Sequence, residues 1–291
     1  MNGREFVLSS LAAMLVIGGA LAVFRPATGE SEDVHPGYWI EKLQAPEGTY
    51  DIVIVGDSRA YRGLDPSRLP AKVLNFGFSG AALDPLYVHT AVQKLRPGGS
   101  LVVAVSPHSL TARAREANAF DALQARHAAD LALTRWASPA YAWTRPYTMS
   151  QVAALARGRA ALLAPASPFE TFHPGGFVAS ARARVESAPE TARIYSEMLE
   201  AHPVGEREIM DLAYILTRYL ASRYRVVVLR LPVSADVAEA EQLDNTWLKE
   251  QIVGTGLDWF ECPPGDTYDG SHLTAESARE VTEALAGFLA E

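Results

Sequence analysis

The stretch Asp51-Ile52-Val53-Ile54-Val55-Gly56-Asp57-Ser58-Arg59 decides the fold. Four consecutive β-branched residues, Ile52 to Val55, suit a strand covered on both faces, as in a parallel sheet. Gly56 lets the backbone turn sharply. Ser58 then falls just past the strand's carboxyl end, at the start of a helix. In an open α/β sheet that edge is where ligands bind. A serine held there can act as a nucleophile if the chain supplies a base elsewhere.

Downstream, Val73 to Phe78 reads as a second strand ending in Ser79-Gly80-Ala81. Leu83 to Leu95 has apolar residues on one helical face, and Arg96-Pro97-Gly98-Gly99 stops it. A third strand, Leu101 to Val105, runs into Ser106-Pro107-His108. The strand–helix rhythm breaks over about residues 110–203, which predict a helical insertion with clustered Trp136, Tyr141, Trp143 and Tyr147. Such insertions often form a wall or cover at the carboxyl edge of a sheet. The rhythm resumes with a helix over 206–224, a strand at Arg225 to Pro232, an acidic amphipathic helix over 236–253 and a weak strand at Leu257 to Phe260. Thr274 is a candidate N-cap for a last helix with Ala278, Val281, Leu285 and Phe288 on one face. The expectation is a three-layer α/β/α sandwich with a mostly parallel five-stranded sheet over residues 51–291.

Upstream, residues 26–50 hold three prolines and several acidic residues, and read as a linker with at most one short helix. Residues 6–24 are apolar or small without a charge, nearly enough to cross a hydrocarbon core of about 30 Å. Arg4 precedes them and Glu30-Ser31-Glu32-Asp33 follows, which puts the bulk of the chain on the extracytoplasmic side. Two readings stand for residues 1–25: an uncleaved anchor, or a signal segment cut near Ala20-Leu21-Ala22 and a released protein.

Among the 291 residues, hydrophobic types make up 48%, which supports a substantial core. Net charge is −8 and no Lys/Arg run stands out, so a nucleic-acid partner is not expected. The one cysteine, Cys262, excludes an internal disulfide and a Cys-rich zinc site. No Gly-x-Gly-x-x-Gly or Walker loop occurs, and the seven histidines fall into no metal-ligand spacing. Neither a cofactor nor a metal is expected.

The base for Ser58 is found in Asp269-x-x-His272, in the loop between the last strand and the last helix. His272 at the same edge of the sheet can take the serine proton. Asp269 can accept the other imidazole N–H, fixing the tautomer and stabilising the imidazolium.

Gly56-Asp57-Ser58 near the first strand and Asp269-x-x-His272 before the last helix together resemble the SGNH/GDSL hydrolase superfamily. The resemblance covers roughly residues 50–109 and 204–291, and implies a flavodoxin-like α/β/α fold, with Ser58, His272 and Asp269 as the catalytic residues. Asn75-Phe76-Gly77-Phe78-Ser79-Gly80 fits the family's second block. By that resemblance the Gly80 and Ser58 backbone N–H groups form the oxyanion hole. The third block departs: Ser106-Pro107-His108-Ser109 stands where Gly-x-Asn-Asp is usual, and His108 falls where the asparagine would. His108 is then either a substitute oxyanion donor or an unrelated polar residue at a strand end. The second case leaves room for an inactive domain that binds an envelope glycan or a partner protein. The apolar N-terminal segment, Gly-Asp-Ser-Arg followed by Arg-Gly-Leu-Asp-Pro, and the long insertion resemble the envelope O-acyltransferase branch, which includes proteins of D-alanyl-lipoteichoic acid biosynthesis and of alginate O-acetylation. That implies an acylated small molecule or envelope polysaccharide as substrate, and a membrane acyl-donor protein as partner.

Three arginines lie near this site in the expected fold: Arg59 after the nucleophile, Arg62 a turn on, and Arg230 at the end of a central strand. Arg230 and Arg59 are candidates for binding an anionic substrate group. The alternative is an ion pair with a nearby carboxylate.

Overall fold

The computed structural model describes residues 42–126, 169–243, 245–253 and 257–291. The candidate membrane segment at 6–24 and the aromatics between Trp136 and Tyr147 lie outside the described residues. Among those described, no helix is long and apolar enough to cross a membrane.

The chain starts its sheet with β1 (Tyr50–Val55), turns into the short helix α1 (Ser58–Gly63), and adds β2 (Val73–Asn75). Helix α2 (Pro85–Val92) leads to β3 (Leu95–Ala104), then α3 (Ala112–Glu116) and α4 (Ala119–Arg126). A hairpin of β4 (Glu170–His173) and β5 (Phe177–Ser180) comes next, then α5 (Pro189–Ala201) and α6 (Glu206–Tyr214). The domain closes with β6 (Arg225–Leu229), α7 (Ala235–Glu241), α8 (Asn245–Val253), β7 (Asp258–Phe260) and α9 (Ala275–Ala290).

The main sheet has the order β2-β1-β3-β6-β7, and every pairing in it is parallel. Burial on both faces follows from the side-chain alternation of a strand. Val53, Val55, Leu101, Val103, Val226 and Val228 enter one apolar cluster, with residues of α2, α6 and α8. Ile52, Ile54, Val102, Ala104, Val227 and Leu229 enter the other, with residues of α1 and α9. The result is the expected three-layer α/β/α arrangement. From β1 the chain moves to β2 on one side and then crosses to β3 on the other. The carboxyl end of β1 is therefore the switch point at which such sheets bind ligands.

Several elements differ from the sequence reading. β3 begins at Leu95, not Leu101, because Arg96-Pro97-Gly98-Gly99 is absorbed as an irregularity: β1 advances from Tyr50 to Ile52 while β3 advances from Leu95 to Ser100. β2 stops at Asn75, although the Phe76 and Phe78 N–H groups still donate to Ile54 and Gly56 carbonyls. The helix expected over 206–224 turns π-helical at Ile215–Leu220. The helix expected over 236–253 is broken into α7 and α8, because Gln242 adopts a left-handed conformation (φ 47°). The insertion expected to be helical contains the antiparallel hairpin β4–β5 as well as α5. Residues 42–50 were expected in the linker, yet Lys42 is fully buried. Its Nζ donates to Gly77 O at 2.5 Å and lies over the rings of Tyr61 and Phe78.

The hairpin docks by backbone on the open edge of β2, where Asn75 N–H donates to Gly175 O at 2.7 Å. Gly176 follows at φ +91°, and a Cβ on it would come within 2.0 Å of Asn75 O. Gly176→Ala is therefore expected to lower stability by about 2 kcal/mol or more, from backbone strain plus the lost close approach. Urea unfolding of the two proteins measures it. Equal midpoints would show that the hairpin is not held by this contact.

Candidate active site

The Ser58 turn is built by its neighbours. Gly56 has φ +153°, and a Cβ on it would meet Ala104 O at 2.7 Å and Ala60 Cβ at 2.8 Å. Only glycine fits between β3 and α1 at that point. The Tyr87 hydroxyl, fully buried, donates toward Phe76 O (2.6 Å) and Gly56 O (3.0 Å) and accepts from Gly56 N–H (3.2 Å). Burial pushes its pKa up, so it stays protonated. Asp57 caps α1 through a 2.9 Å bond from Arg59 N–H to its Oδ1, and its other oxygen accepts from Ser106 Oγ. Asp57 and Arg59 are buried, whereas Ser58 between them is part-exposed. The turn thus presents one side chain, the serine.

The base loop is equally constrained. Asp269 Oδ1 accepts the backbone N–H groups of Ser271 (2.9 Å) and His272 (2.8 Å). Its Oδ2 lies 2.7 Å from His272 Nδ1. The other ring nitrogen, Nε2, is 2.8 Å from Ser58 Oγ. Asp269 therefore fixes both the loop backbone and the ring of His272, with Nδ1–H donating to the carboxylate and Nε2 free to accept from Ser58. Tyr268 stacks on the imidazole with ring centroids 5.8 Å apart and an 18° interplanar angle. Loop ends are pinned by a Thr267–Leu273 bridge and by the Thr274 side chain, which caps α9 as expected.

Gly80, after β2, has φ +66°, and His108 Nε2 lies 3.8 Å from where a Gly80 Cβ would sit. His108 thus stands beside the second-block glycine. Ser106 and Ser109 close its turn by Ser109 Oγ donating to Ser106 O (2.8 Å) and accepting from Ser106 N–H (3.1 Å). His108 Nδ1 is 3.2 Å from Met198 Sδ on α5. A thioether only accepts. The tautomer with its proton on Nδ1 makes this contact a hydrogen bond, and the other tautomer places the proton on Nε2, beside Gly80.

Arg59 and Arg230 are not presented to a substrate, contrary to the expectation for them. Both close on Glu241, whose side chain is fully buried. Arg59 Nη2 pairs with one carboxylate oxygen, and Arg230 Nη2 lies 2.6 Å from the other. Arg230 also donates to Leu243 O at 2.9 Å. Their side chains are only 3% and 7% exposed, so both guanidinium groups face the interior, although Arg59 Nη1 has no hydrogen-bond partner among the described residues. Burial works against the charge of Arg59, but Glu241 outweighs it and raises the pKa. Arg62 is likewise internal, held by Glu170 Oε1 (2.7 Å) and Oε2 (3.2 Å). Sequence reasoning missed Glu241 because an acid in an acidic amphipathic helix reads as solvated, and missed Glu170 because nothing marked the hairpin. Tyr268 carried a usable signal, its place directly before Asp269.

No protein-family model matches the chain. No curated protein matches it either. Among solved structures, an acetyl xylan esterase (Est2A) from the rumen bacterium Butyrivibrio proteoclasticus aligns at 10% sequence identity with a TM-score of 0.32. The alignment covers 82% of this chain and 63% of that one, so this chain spans less than two thirds of that structure's length.

Burial acts to raise the pKa of Asp269, but the hydrogen bonds and charge of His272 and the two backbone N–H groups outweigh it and hold the carboxyl at about 2. A carboxyl depressed in the folded state adds stability above its unfolded value, about 4. That stability is lost as pH falls through the folded value. Wild type should therefore lose an increment of stability between about pH 4 and pH 2 that Asp269→Asn lacks. Urea unfolding across that range checks it, and parallel pH curves for the two proteins would contradict the depressed carboxyl.

Proposed function

We propose that this protein is a serine acyl-ester hydrolase or O-acyltransferase of the SGNH/GDSL type. The observation that carries the reading is the relay from Asp269 Oδ2 through His272 to Ser58 Oγ, with steps of 2.7 and 2.8 Å. It joins a serine at the switch point of the sheet to a base 214 residues away. Such a hydrogen-bonded nucleophile, base and orienting carboxylate suit acyl transfer.

In this reading Ser58 Oγ attacks an acyl carbonyl while His272 Nε2 takes its proton. Asp269 steadies the imidazolium. The oxyanion is held by the Ser58 and Gly80 N–H groups, with His108 Nε2–H beside Gly80 as the third donor. As the tetrahedral intermediate collapses, His272 returns the proton to the departing alkoxide oxygen, leaving an acyl-serine. His272 then takes a proton from water or an acceptor hydroxyl, whose oxygen attacks the acyl carbon, and delivers it to Ser58 Oγ as the ester bond breaks. Water gives hydrolysis, and a glycan hydroxyl gives transfer. The substrate is an acylated small molecule or envelope polysaccharide. Residues 6–24 hold the domain at the outer face of the cytoplasmic membrane, where a membrane acyl-donor protein supplies the acyl group for transfer. The sequence pattern of that segment and of Gly-Asp-Ser-Arg supports this location and branch.

A fluorophosphonate probe should label the wild type and leave Ser58→Ala unlabelled. His272→Ala should label at least about 10³-fold more slowly. His108→Ala should lower kcat/KM toward p-nitrophenyl acetate by about 10- to 100-fold, the order of a lost oxyanion donor. Equal labelling of wild type and Ser58→Ala would overturn the nucleophile. For the location, the full chain should sediment with membranes, and a chain starting at residue 26 should not.

A further inference from the structure

We propose that Arg59 and Arg62 form a paired clamp from α1 that positions the base loop against Ser58, with Glu241 and Glu170 as the counter-charges that hold it. The inference rests on the Ser58–His272 reading and assigns these four as positioning residues. The arginines touch the loop and the glutamates touch the arginines; none of the four contacts the reacting atoms.

The two arginines lie three residues apart on α1, directly after the serine. Arg59 Nε donates to Ser271 Oγ at 3.2 Å, and Ser271 is the residue before His272. Arg62 Nη1 donates to the Tyr268 hydroxyl at 2.8 Å, and the Tyr268 ring stacks on His272. One arginine thus holds the backbone neighbour of the base, and the other holds the ring that backs it. Each guanidinium is fixed at its far end by a carboxylate from another part of the fold. Glu241 comes from the end of α7, and Glu170 from β4 in the insertion. Tyr195 of α5 lies against the Arg59 guanidinium at 4.9 Å and shares a 2.9 Å hydrogen bond with Ser271 Oγ.

Burial explains why this is more than a chance of surface pairing. The side chains of Arg59, Glu241, Arg62 and Glu170 are 3%, 0%, 8% and 4% exposed. Charges withdrawn from water this far add little net stability compared with apolar packing, and in some proteins such pairs serve to specify one geometry among several. Here the specified geometry is the approach of two loops more than 200 residues apart in sequence. The bidentate Arg62–Glu170 pair does this better than a point charge, because it fixes angle as well as distance. The insertion, through Glu170, is then part of the positioning shell of the site.

The test uses the full chain with p-nitrophenyl acetate as the probe. Glu170→Gln, Ser271→Ala and Tyr268→Phe should each lower kcat about 10-fold or more with KM within about twofold, at a temperature where circular dichroism shows the variant folded. Arg62→Lys should lower kcat to a similar degree, since it keeps charge and loses the fork. Ser271→Ala and Tyr268→Phe leave both ion pairs in place, so they decide the matter if a charge variant fails to fold. A second readout is independent of turnover. The downfield ring N–H proton of the His272–Asp269 hydrogen bond should be sharp in wild type and broadened or lost in the clamp variants. Unchanged kcat and an unchanged downfield proton in folded variants would overturn the clamp. Wild-type activity in Ser58→Ala, or neither turnover nor a downfield proton in wild type, would instead overturn the nucleophile–base reading, and the clamp with it.

Discussion

Gly56 closes β1 against Ala104 of β3 and Ala60 of α1 with no room for a side chain, and the carboxyl edge of the sheet depends on that closeness. Because the turn is tight, α1 starts at once and Ser58 stands over the end of β1 instead of at the end of a loose loop. The Tyr87 hydroxyl meets the polar backbone groups that this sharp exit would otherwise leave buried and unpaired. Asn75 performs a similar task one strand away, its amide donating to the Ala60 and Leu64 carbonyls and its oxygen accepting from Gly77 N–H. The nucleophile turn and the loop that bears Gly80 are therefore braced by the same small set of buried polar side chains.

Much of this was legible in the residues. Strands buried on both faces announce themselves as runs of β-branched residues, so β1 and β6 could be read directly. Gly56-Asp57-Ser58 bounded β1 and Pro232 bounded β6. The approach of Ser58, Asp269 and His272 was also legible, because loops at the same edge of a parallel sheet converge whatever their separation in sequence. What was not legible depended on partners that only tertiary structure supplies. The early start of β3 needs β1 as a template to carry a Pro-Gly-Gly segment into a ladder. The break at Gln242 has no proline or glycine to mark it. Arg59 and Arg230 looked like ligand groups because their carboxylate sat on an acidic helix whose pattern gave no hint that one member, Glu241, turns inward.

The interior charge of the site differs from that of the whole molecule. The chain is net acidic, yet three arginines and two glutamates are gathered just behind the Ser58 turn. Their mutual pairing leaves the serine, the imidazole and the Asp269 carboxylate as the polar groups of the relay that meet solvent. This separates the buried, paired charge from the Ser58–His272–Asp269 chain of hydrogen bonds, which is part-exposed.

Helix α5 contributes Tyr195 and Met198 to the surroundings of the site, yet it has no buried residue along its length. Arg193 ties it to itself through Glu190 and Glu197, which supports the helix but not its docking. An element with so little apolar burial opens by local fluctuation at a free energy well below that of the core strands. The site thus has two unlike walls: one of strands buried on both faces, and one of a helix with no buried residue.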